Sequence, residues 1–371
     1  MEAPVLFDEL ATDTGQRLGQ ITLNVPKTLN SLTLEMVELT LDQLARWRDD
    51  EGLVAILIRG SGEKAFCAGG DVQALYKSAT DNPGGPCPDA EQFFAREYRL
   101  DYTLHTYPKP LIGWGHGIVM GGGMGVFSGC RHKVVTEKTR IAMPEVTIAL
   151  FPDVGGSYFL NNLPGHSGYF LALTGASINA ADCLFTGLGD YFIVNDQYDA
   201  VVSALKAAPW QSGDAENHRV VGSVLKDAAA GSADALPEGN VEANMAEIEA
   251  LFANPDAHAV INAILELNSD HDWMNRARDG LSHGSPLNSL LIYRQLQLCK
   301  GKSLADVFRA ELVLATNIVR FQEFAEGVRA LLIDKDRSPD WTYKTHADVP
   351  DDVLESFFKA PWSENPLNDL Q

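Results

Sequence analysis

Cysteines are few in this chain and lie too far apart to form a structural framework. The 371 residues include five of them, an odd number, and no two form a CxxC pair. Structural zinc sites and small disulfide-rich folds need closely spaced or evenly paired cysteines. We therefore expect no metal site and no disulfide framework, and we expect the protein in the reducing cytoplasm. The five are Cys67, Cys87, Cys130, Cys183 and Cys299.

Basic residues are also scarce. Lys and Arg number 29 against 50 Asp and Glu, which gives a formal net charge of −21. An acidic surface of this size repels the phosphates of nucleic acids and of anionic membranes. We therefore expect neither a nucleic acid nor a membrane as a partner.

Long apolar runs are missing too. No uninterrupted apolar stretch approaches the ~18 residues of a membrane-spanning helix. The first residues, MEAPVLFDELATDTG, have neither the basic nor the apolar part of a secretion signal. The sequence therefore predicts no membrane span and no targeting segment.

Short apolar runs of strand length alternate with helical patterns in the first part of the chain. Four runs, at residues 21–25, 54–59, 110–117 and 132–136, are predicted strands. Strand, loop and helix in repetition are typical of right-handed βαβ crossovers. Asp71, after the first of the glycine loops, is predicted to cap the next helix. From Asn195 onward the patterns are helical, and Ser285 before Pro286 is a predicted N-cap. We expect an α/β core over residues 1–200 and a helical region over residues 201–371. The small, polar segment 211–239 is predicted to be a surface excursion or hinge.

Two glycine-rich loops each follow a predicted buried strand. They are AGG at residues 68–70 and GGG at residues 121–123. Glycine lets a backbone N–H approach a ligand without a side chain in the way. Parallel neighbouring strands would bring both loops to one sheet edge, where one N–H from each could form an oxyanion hole. Either loop alone would indicate only a tight turn. His116 and Cys67, beside these loops, are predicted to be structural.

Two carboxylates, Glu145 and Asp153, follow the second glycine loop, each beside a proline that restricts its backbone. Placed carboxylates can act as general bases or nucleophiles at a carbonyl carbon. Each also has a structural interpretation. Glu145 could be a helix-start acid, and Asp153 could cap a helix that runs through Tyr158.

Several segments resemble the crotonase, or enoyl-CoA hydratase/isomerase, superfamily, and within it the 3-hydroxyisobutyryl-CoA hydrolase branch. Their order and spacing over residues 17–358 carry the resemblance. They are PKTLNSLT (26–33), similar to the loop that receives coenzyme A, KAFCAGGDV (64–72), HGIVMGGGMG (116–125), AMPEVTIALFPDVGGSYFL (142–160), FLALTGASI (170–178), HGSPLNS (283–289) and FAEGVRALLIDKD (324–336). The resemblance implies a crotonase-like spiral of ββα units, with the helical C-terminal region covering the active site.

The resemblance also implies roles for individual residues. The N–H groups of Gly70 and Gly122 would bind a thioester oxygen, Glu145 and Asp153 would lie at the reacting carbonyl, and Glu97 at the edge of the substrate pocket. Without the resemblance, Glu97 would be interpreted as a solvated residue on a helix face. Further candidates for substrate binding are Lys27, Leu29, Ala68, Gly69 and Asp71. The implied partner is a small-molecule acyl-CoA. No separate cofactor is expected, because coenzyme A is part of the substrate.

Gly125 occupies the position where hydratases of the superfamily carry a second glutamate. One of the two acids that add water across a C=C bond is therefore missing. We expect hydrolysis of a short, branched 3-hydroxyacyl-CoA, namely 3-hydroxyisobutyryl-CoA in valine degradation. An enoyl-CoA hydratase/isomerase and a non-catalytic CoA-binding paralogue remain alternatives, and a homo-oligomer is left open. Two residues depart from the branch: Arg96 stands where an acid is usual, and Glu323 where Asp is more frequent.

Overall fold

Two β-sheets organise the fold in the computed structural model, which describes residues 3–371. One sheet has six strands in the order β1-β2-β3-β5-β7-β9, and the other has three in the order β4-β6-β8. The first pair, β1 and β2, is antiparallel, and the other neighbours in the larger sheet are parallel. The strands are Val5–Ala11 (β1), Arg17–Leu23 (β2), Leu53–Gly60 (β3), Ala65–Cys67 (β4), Leu111–Gly115 (β5), Ile118–Met120 (β6), His132–Val135 (β7), Arg140–Ala142 (β8) and Tyr191–Phe192 (β9).

Helices make up most of the remaining chain, and every named element after β9 is helical. The α-helices are Leu34–Arg48 (α1), Val72–Asp81 (α2), Pro88–His105 (α3), Gly122–Ser128 (α4), Gly156–Phe159 (α5), Ser167–Thr174 (α6), Ala180–Thr186 (α7), Tyr198–Ala207 (α8), Asp214–Ala230 (α9), Met245–Leu251 (α10), Ala257–Leu265 (α11), Asp272–His283 (α12), Pro286–Cys299 (α13), Leu304–Arg320 (α14), Gln322–Val328 (α15) and Asp351–Ser356 (α16).

A long strand followed by a short one occurs three times along the chain. In each case, β3–β4, β5–β6 and β7–β8, the long strand joins the six-stranded sheet and the short one joins the three-stranded sheet. A helix follows the first two pairs, and the 3-10 turn Glu145–Ile148 follows the third. This repetition confirms the predicted α/β class and ββα pattern. The four predicted strands are present as β2, β3, β5 and β7.

The chain divides into two compact units, each assembled from three stretches. The first unit contains Met1–Gly70, Thr103–Ile141 and Ile178–Asn240, and the second contains Asp71–Tyr102, Ala142–Ser177 and Val241–Gln371. Both sheets belong to the first unit, apart from the last residue of β8. The two compact units therefore do not correspond to two consecutive halves of the chain. The boundary near residue 200, and the covering of the active site by residues 201–371, stay predictions.

Most of the segment 211–239 forms helix α9, which packs one face in the core and leaves its other faces at least partly exposed. Helix α9 buries Val221 and Leu225 completely, and both pack in one cluster with Leu57 and Trp114 of the large sheet. The two residues are four positions apart, which places them on one face of a helix. The surface position agrees with the prediction, whereas the packed face was missed because the many Ala, Gly and Asp residues of the segment obscured that short apolar stripe.

Candidate active site

The two glycine loops adjoin within the first unit. Strand β4 leads into the first loop and β6 into the second, and the two strands pair in parallel. A Cβ atom added to Gly123 would lie 2.2 Å from the carbonyl oxygen of Cys67, so only glycine permits this approach of the two backbones. A Cβ on Gly69, whose φ is +119°, would lie 3.9 Å from the nitrogen of Gly122. The predicted neighbourhood of the loops is therefore present.

The predicted oxyanion donors are not used by the rest of the described chain. Within residues 3–371, neither the N–H of Gly70 nor that of Gly122 has a hydrogen-bond acceptor. Gly122 is the first residue of α4, and the first N–H groups of a helix have no partner inside the helix. Both groups are thus available to a ligand oxygen.

The loop at residues 26–33 is joined to the first glycine loop. The carbonyl oxygen of Leu29 accepts from the N–H of Ala68 at 3.0 Å. The amide of Asn30, which is fully buried, donates to the carbonyl oxygen of Ala65 at 3.0 Å. Lys27 is exposed at the turn before it. The structure therefore brings Leu29 beside Ala68, and it adds Asn30 as a supporting residue that the sequence analysis did not identify.

His116 and Cys67 are structural, as predicted. His116 Nε2 lies 3.0 Å from the carbonyl oxygen of Gly62, and burial lowers the pKa of this imidazole, so that it stays neutral. Cys67 is fully buried, and its thiol donates to the carbonyl oxygen of Gly69 at 3.5 Å. Neither side chain is placed as a nucleophile or base.

Asp71 caps helix α2 in the second unit, as predicted. Its side chain accepts from the N–H of Ala74 at 3.2 Å. A contact between Asp71 and substrate stays a prediction.

Five of the buried carboxyl groups in the second unit form what we call the carboxyl cluster. None is more than 5% exposed, and within residues 3–371 none pairs with a lysine or arginine. Burial is the first cause of a raised pKa for every member, and for most of them the charges of other members add to it. The members are Glu97, Asp101, Glu145, Asp153 and Glu311. Buried carboxyls without cations cannot all ionise at neutral pH.

Asp153 is the member best prepared to ionise near neutrality. The hydroxyl of Tyr98 donates to its Oδ2 at 2.6 Å. Burial raises the pKa of Asp153 to about 7, and the bond from Tyr98 opposes that rise. The interpretation of Asp153 as a helix cap was wrong, because the cap position of α5 is Gly155 and the Asp153 side chain bonds Tyr98 instead.

Glu145 is the first residue of its 3-10 turn, so its place at the start of a helical turn is as predicted. Its side chain, however, is 5% exposed, and within residues 3–371 its Oε2 has no hydrogen-bond partner. Burial and then the charge of Asp153 raise the pKa of Glu145 well above its usual range. Burial and the neighbouring charge therefore both favour the protonated form of Glu145.

Glu97 and Asp101 lie one turn apart on α3. Glu97 is 2% exposed, which corrects its interpretation as a solvated residue, while its implied place at the edge of the substrate pocket stays a prediction. Burial, followed by the charges of Asp153 and Glu145, raises its pKa. Asp101 was not identified from the sequence. It is fully buried, and within residues 3–371 neither of its carboxyl oxygens has a hydrogen-bond partner.

The segment HGSPLNS holds the turn that carries Glu145. The N–H of Ser285 donates to the carbonyl oxygen of Val146 at 3.1 Å. The side-chain amide of Asn288 donates to the carbonyl oxygen of Leu150 at 3.2 Å. The Ser285 hydroxyl donates to Glu323 Oε2 at 2.5 Å. The predicted N-cap at Ser285 is confirmed, since its hydroxyl also accepts from the N–H of Asn288 at 3.1 Å. Glu323, which stands where the branch more often has Asp, thus accepts a hydrogen bond through its carboxyl group, as an Asp could.

Comparison with known proteins agrees with this architecture. A family model described as enoyl-CoA hydratase/isomerase matches residues 18–358. The chain belongs to the enoyl-CoA hydratase/isomerase family. Among solved structures of similar proteins, a carnitinyl-CoA dehydratase from Mycobacterium thermoresistibile has 31% sequence identity and a TM-score of 0.84, with 98% of each chain covered. The crotonase fold expected from the resemblance is therefore confirmed.

Two curated relatives of this chain are named 3-hydroxyisobutyryl-CoA hydrolase, mitochondrial. The relative from Bos taurus is 37% identical over 357 residues, which cover 95% of this chain and 88% of the relative. The relative from Gallus gallus is 36% identical over 352 residues, covering 94% and 88%. Their names place them in mitochondria, unlike the cytoplasmic location expected here. Within residues 3–371, no helix has both the length and the apolar character needed to cross a bilayer.

Proposed function

We propose that this protein hydrolyses the thioester of a short, branched 3-hydroxyacyl-CoA, with 3-hydroxyisobutyryl-CoA as substrate and 3-hydroxyisobutyrate and coenzyme A as products. The observation that carries the proposal is the pair Glu145 and Asp153, two buried carboxyls whose pKa values are both raised, in a chain that has glycine at position 125. The names of the curated relatives support the same reaction.

Backbone donors take the first role in the proposed reaction. The free N–H groups of Gly70 and Gly122 bind the thioester oxygen and stabilise the negative charge that develops on it. Loss of one such donor typically costs about 3 kcal/mol of transition-state stabilisation. Lys27, Leu29, Ala68 and Gly69 bind the coenzyme A part of the substrate in this proposal, and Asp71 and Glu97 also contribute to binding.

The carboxyl pair takes the second role, and it acts with a single negative charge. Burial raises the pKa of Asp153 to about 7, and burial together with the charge of Asp153 raises that of Glu145, so in this proposal the pair keeps one proton at neutral pH. Glu145 gives up its proton as substrate binds, with Asp153 as the neighbouring acceptor. The Glu145 carboxylate then acts as general base on water, or as nucleophile through a transient anhydride.

The bond changes of hydrolysis balance without a cofactor. Water oxygen forms a bond to the carbonyl carbon, either directly or by opening the anhydride, and the C–S bond breaks. One proton of water passes to the carboxyl pair. The thiolate leaves with little acid assistance, since a thiol has a pKa of about 8.5.

The biological setting is part of the proposal. A 3-hydroxyisobutyryl-CoA hydrolase would serve valine catabolism. The five cysteines are all free and buried, which supports a reducing compartment. We keep the cytoplasm as the proposed location, although the relatives are named mitochondrial. The homo-oligomer left open by the sequence stays a prediction.

A thiol-release assay on a panel of acyl-CoA substrates tests the proposal. We expect turnover of 3-hydroxyisobutyryl-CoA and a fall of about 10²- to 10⁴-fold in kcat for Glu145→Gln. Glu242→Gln, which changes an exposed glutamate, is the matched control and should keep full activity. Unchanged turnover in Glu145→Gln would refute this mechanism.

A second candidate function is hydration or dehydration of an enoyl-CoA. The similar structure from Mycobacterium thermoresistibile is named a dehydratase, which favours this candidate. Gly125 argues against it, because the second acid is missing. Addition of water to crotonyl-CoA by the purified protein, without thiol release, would establish the second candidate. Absence of both reactions would favour the non-catalytic CoA-binding paralogue.

A further inference from the structure

The loop that follows Asp153 has an unusual backbone. Val154 has a φ of +51° and Gly155 a φ of +86°, so two consecutive residues are left-handed. Glycine adopts this region readily, whereas a β-branched residue such as valine rarely does. Val154 is also fully buried. Strained conformations of this kind persist only where the surrounding structure holds them.

A single side chain from α14 holds this loop. Glu311 Oε2 accepts from the N–H of Gly155 at 2.7 Å, and its Oε1 accepts from the N–H of Ser157 at 2.8 Å. Glu311 is fully buried. Both N–H groups are donors, so they need two acceptors at once, which a carboxylate supplies and an amide does not. We call this contact the Glu311 clamp.

We propose that Glu311 is a positioning residue, which fixes the backbone next to Asp153 for the reaction. The inference rests on the proposed function, because it assumes that Asp153 takes part in hydrolysis. Asp153 is then held twice. Tyr98 holds the carboxyl group by its hydroxyl, and the Glu311 clamp fixes the chain two and four residues further on.

A purely structural role for Glu311 makes a different prediction. If the clamp only stabilised the packing of α14 against α5, its loss would lower the unfolding temperature and leave the turnover of the folded enzyme unchanged. If it positions Asp153, its loss lowers kcat in folded enzyme, while substrate binding changes little. The ratio of the effects on kcat and KM therefore separates the two roles.

The experiment compares Glu311→Gln with Asp306→Asn, a carboxylate-to-amide change at an exposed position in the first turn of the same helix. Burial raises the pKa of Glu311 to about 8, so kinetics are measured at about pH 8.5, where the carboxylate predominates. We expect Glu311→Gln to lower kcat at least about tenfold, with KM within about threefold of wild type, because a buried N–H loses its acceptor. Asp306→Asn should match the wild type.

Hydrogen exchange measured by mass spectrometry supplies a readout that does not depend on activity. We expect Glu311→Gln to increase exchange about tenfold or more in the peptide covering residues 153–159, and not in the peptide of β3. If that variant does not fold, Glu311→Asp replaces it. Its shorter carboxylate should raise exchange in the same peptide by a smaller factor.

Each outcome decides the matter. Unchanged kcat together with unchanged exchange at residues 153–159 would overturn the inference, and so would faster exchange with unchanged kcat. Absence of thiol release by the wild-type enzyme would instead overturn the proposed function. The exchange result would then still show whether the clamp exists.

Discussion

Tyr98→Phe removes the hydroxyl that donates to Asp153, and we expect it to move the pH dependence of hydrolysis. The bond is 2.6 Å long and joins two groups that are both buried. It favours the ionised form of Asp153, whose pKa of about 7 would rise once the bond is lost. A hydrogen bond to a charged group is worth about 1.5–3 kcal/mol, which corresponds to about 1–2 on the pH scale.

The rate in this proposal requires one negative charge on the carboxyl pair, so activity should increase through the pKa of Asp153. We expect the acid limb of the kcat profile to lie between about pH 7 and 8 in the wild type, where Asp153 and Glu311 ionise, and at about pH 8–9 in Tyr98→Phe. At pH 7 the variant should be about 5- to 50-fold slower, because the wild-type group is half ionised there, and it should recover most of the rate at higher pH.

The measurement is thiol release from 3-hydroxyisobutyryl-CoA at a series of pH values, corrected for uncatalysed hydrolysis. Tyr102→Phe is the control, since it removes a hydroxyl of the same helix that donates to the backbone oxygen of Gln371 and not to a side-chain carboxyl group. A loss of rate by the same factor at every pH would refute the reasoning, because it would show that Tyr98 does not act through the pKa of Asp153.

Two further predictions concern stability. The folded pKa of Asp153, about 7, exceeds the unfolded value of about 3.9, so this group stabilises the fold below pH 4 and loses that contribution as the pH rises through 7. In urea titrations, the wild type should therefore lose about 2 kcal/mol more unfolding free energy than Asp153→Asn between about pH 5.5 and 7, and parallel losses would contradict this. Gly123→Ala should lower stability by about 1–3 kcal/mol, since its Cβ would meet the Cys67 carbonyl oxygen at 2.2 Å. Gly222→Ala in α9, where the nearest atom is the Tyr191 hydroxyl at 3.5 Å, should raise stability by about 0.5–1 kcal/mol, and thermal unfolding of both variants checks the contrast.

Local patterns were enough to predict much of the fold. Each of the four apolar runs became a strand, since short continuous apolar runs bounded by turn residues are typical of strands buried on both faces. The caps at Asp71 and Ser285 followed from residue type and position alone. The glycine loops were also predictable, since close backbone approach needs residues without a Cβ.

Some residues of the site carried a local sign that the sequence analysis did not use. Phe94, Tyr98 and Asp101 follow one another at steps of four and three, so an acid continues an apolar face of α3. Glu311 likewise falls between Val307 and Leu314 on the apolar face of α14. An acid inside such a stripe indicates burial, but it does not indicate which groups the acid will contact.

The sequence by itself determined the family, the ββα core and the two glycine loops with their free N–H groups, because these depend on patterns within a few residues. Only the tertiary structure decided the protonation of the carboxyl cluster. Tyr98 lies 55 positions from the Asp153 that it bonds, and Glu311 lies 156 positions from Gly155. The pKa of a carboxyl group depends on water exclusion and on neighbours brought together by folding, and no local pattern along the chain contains that information.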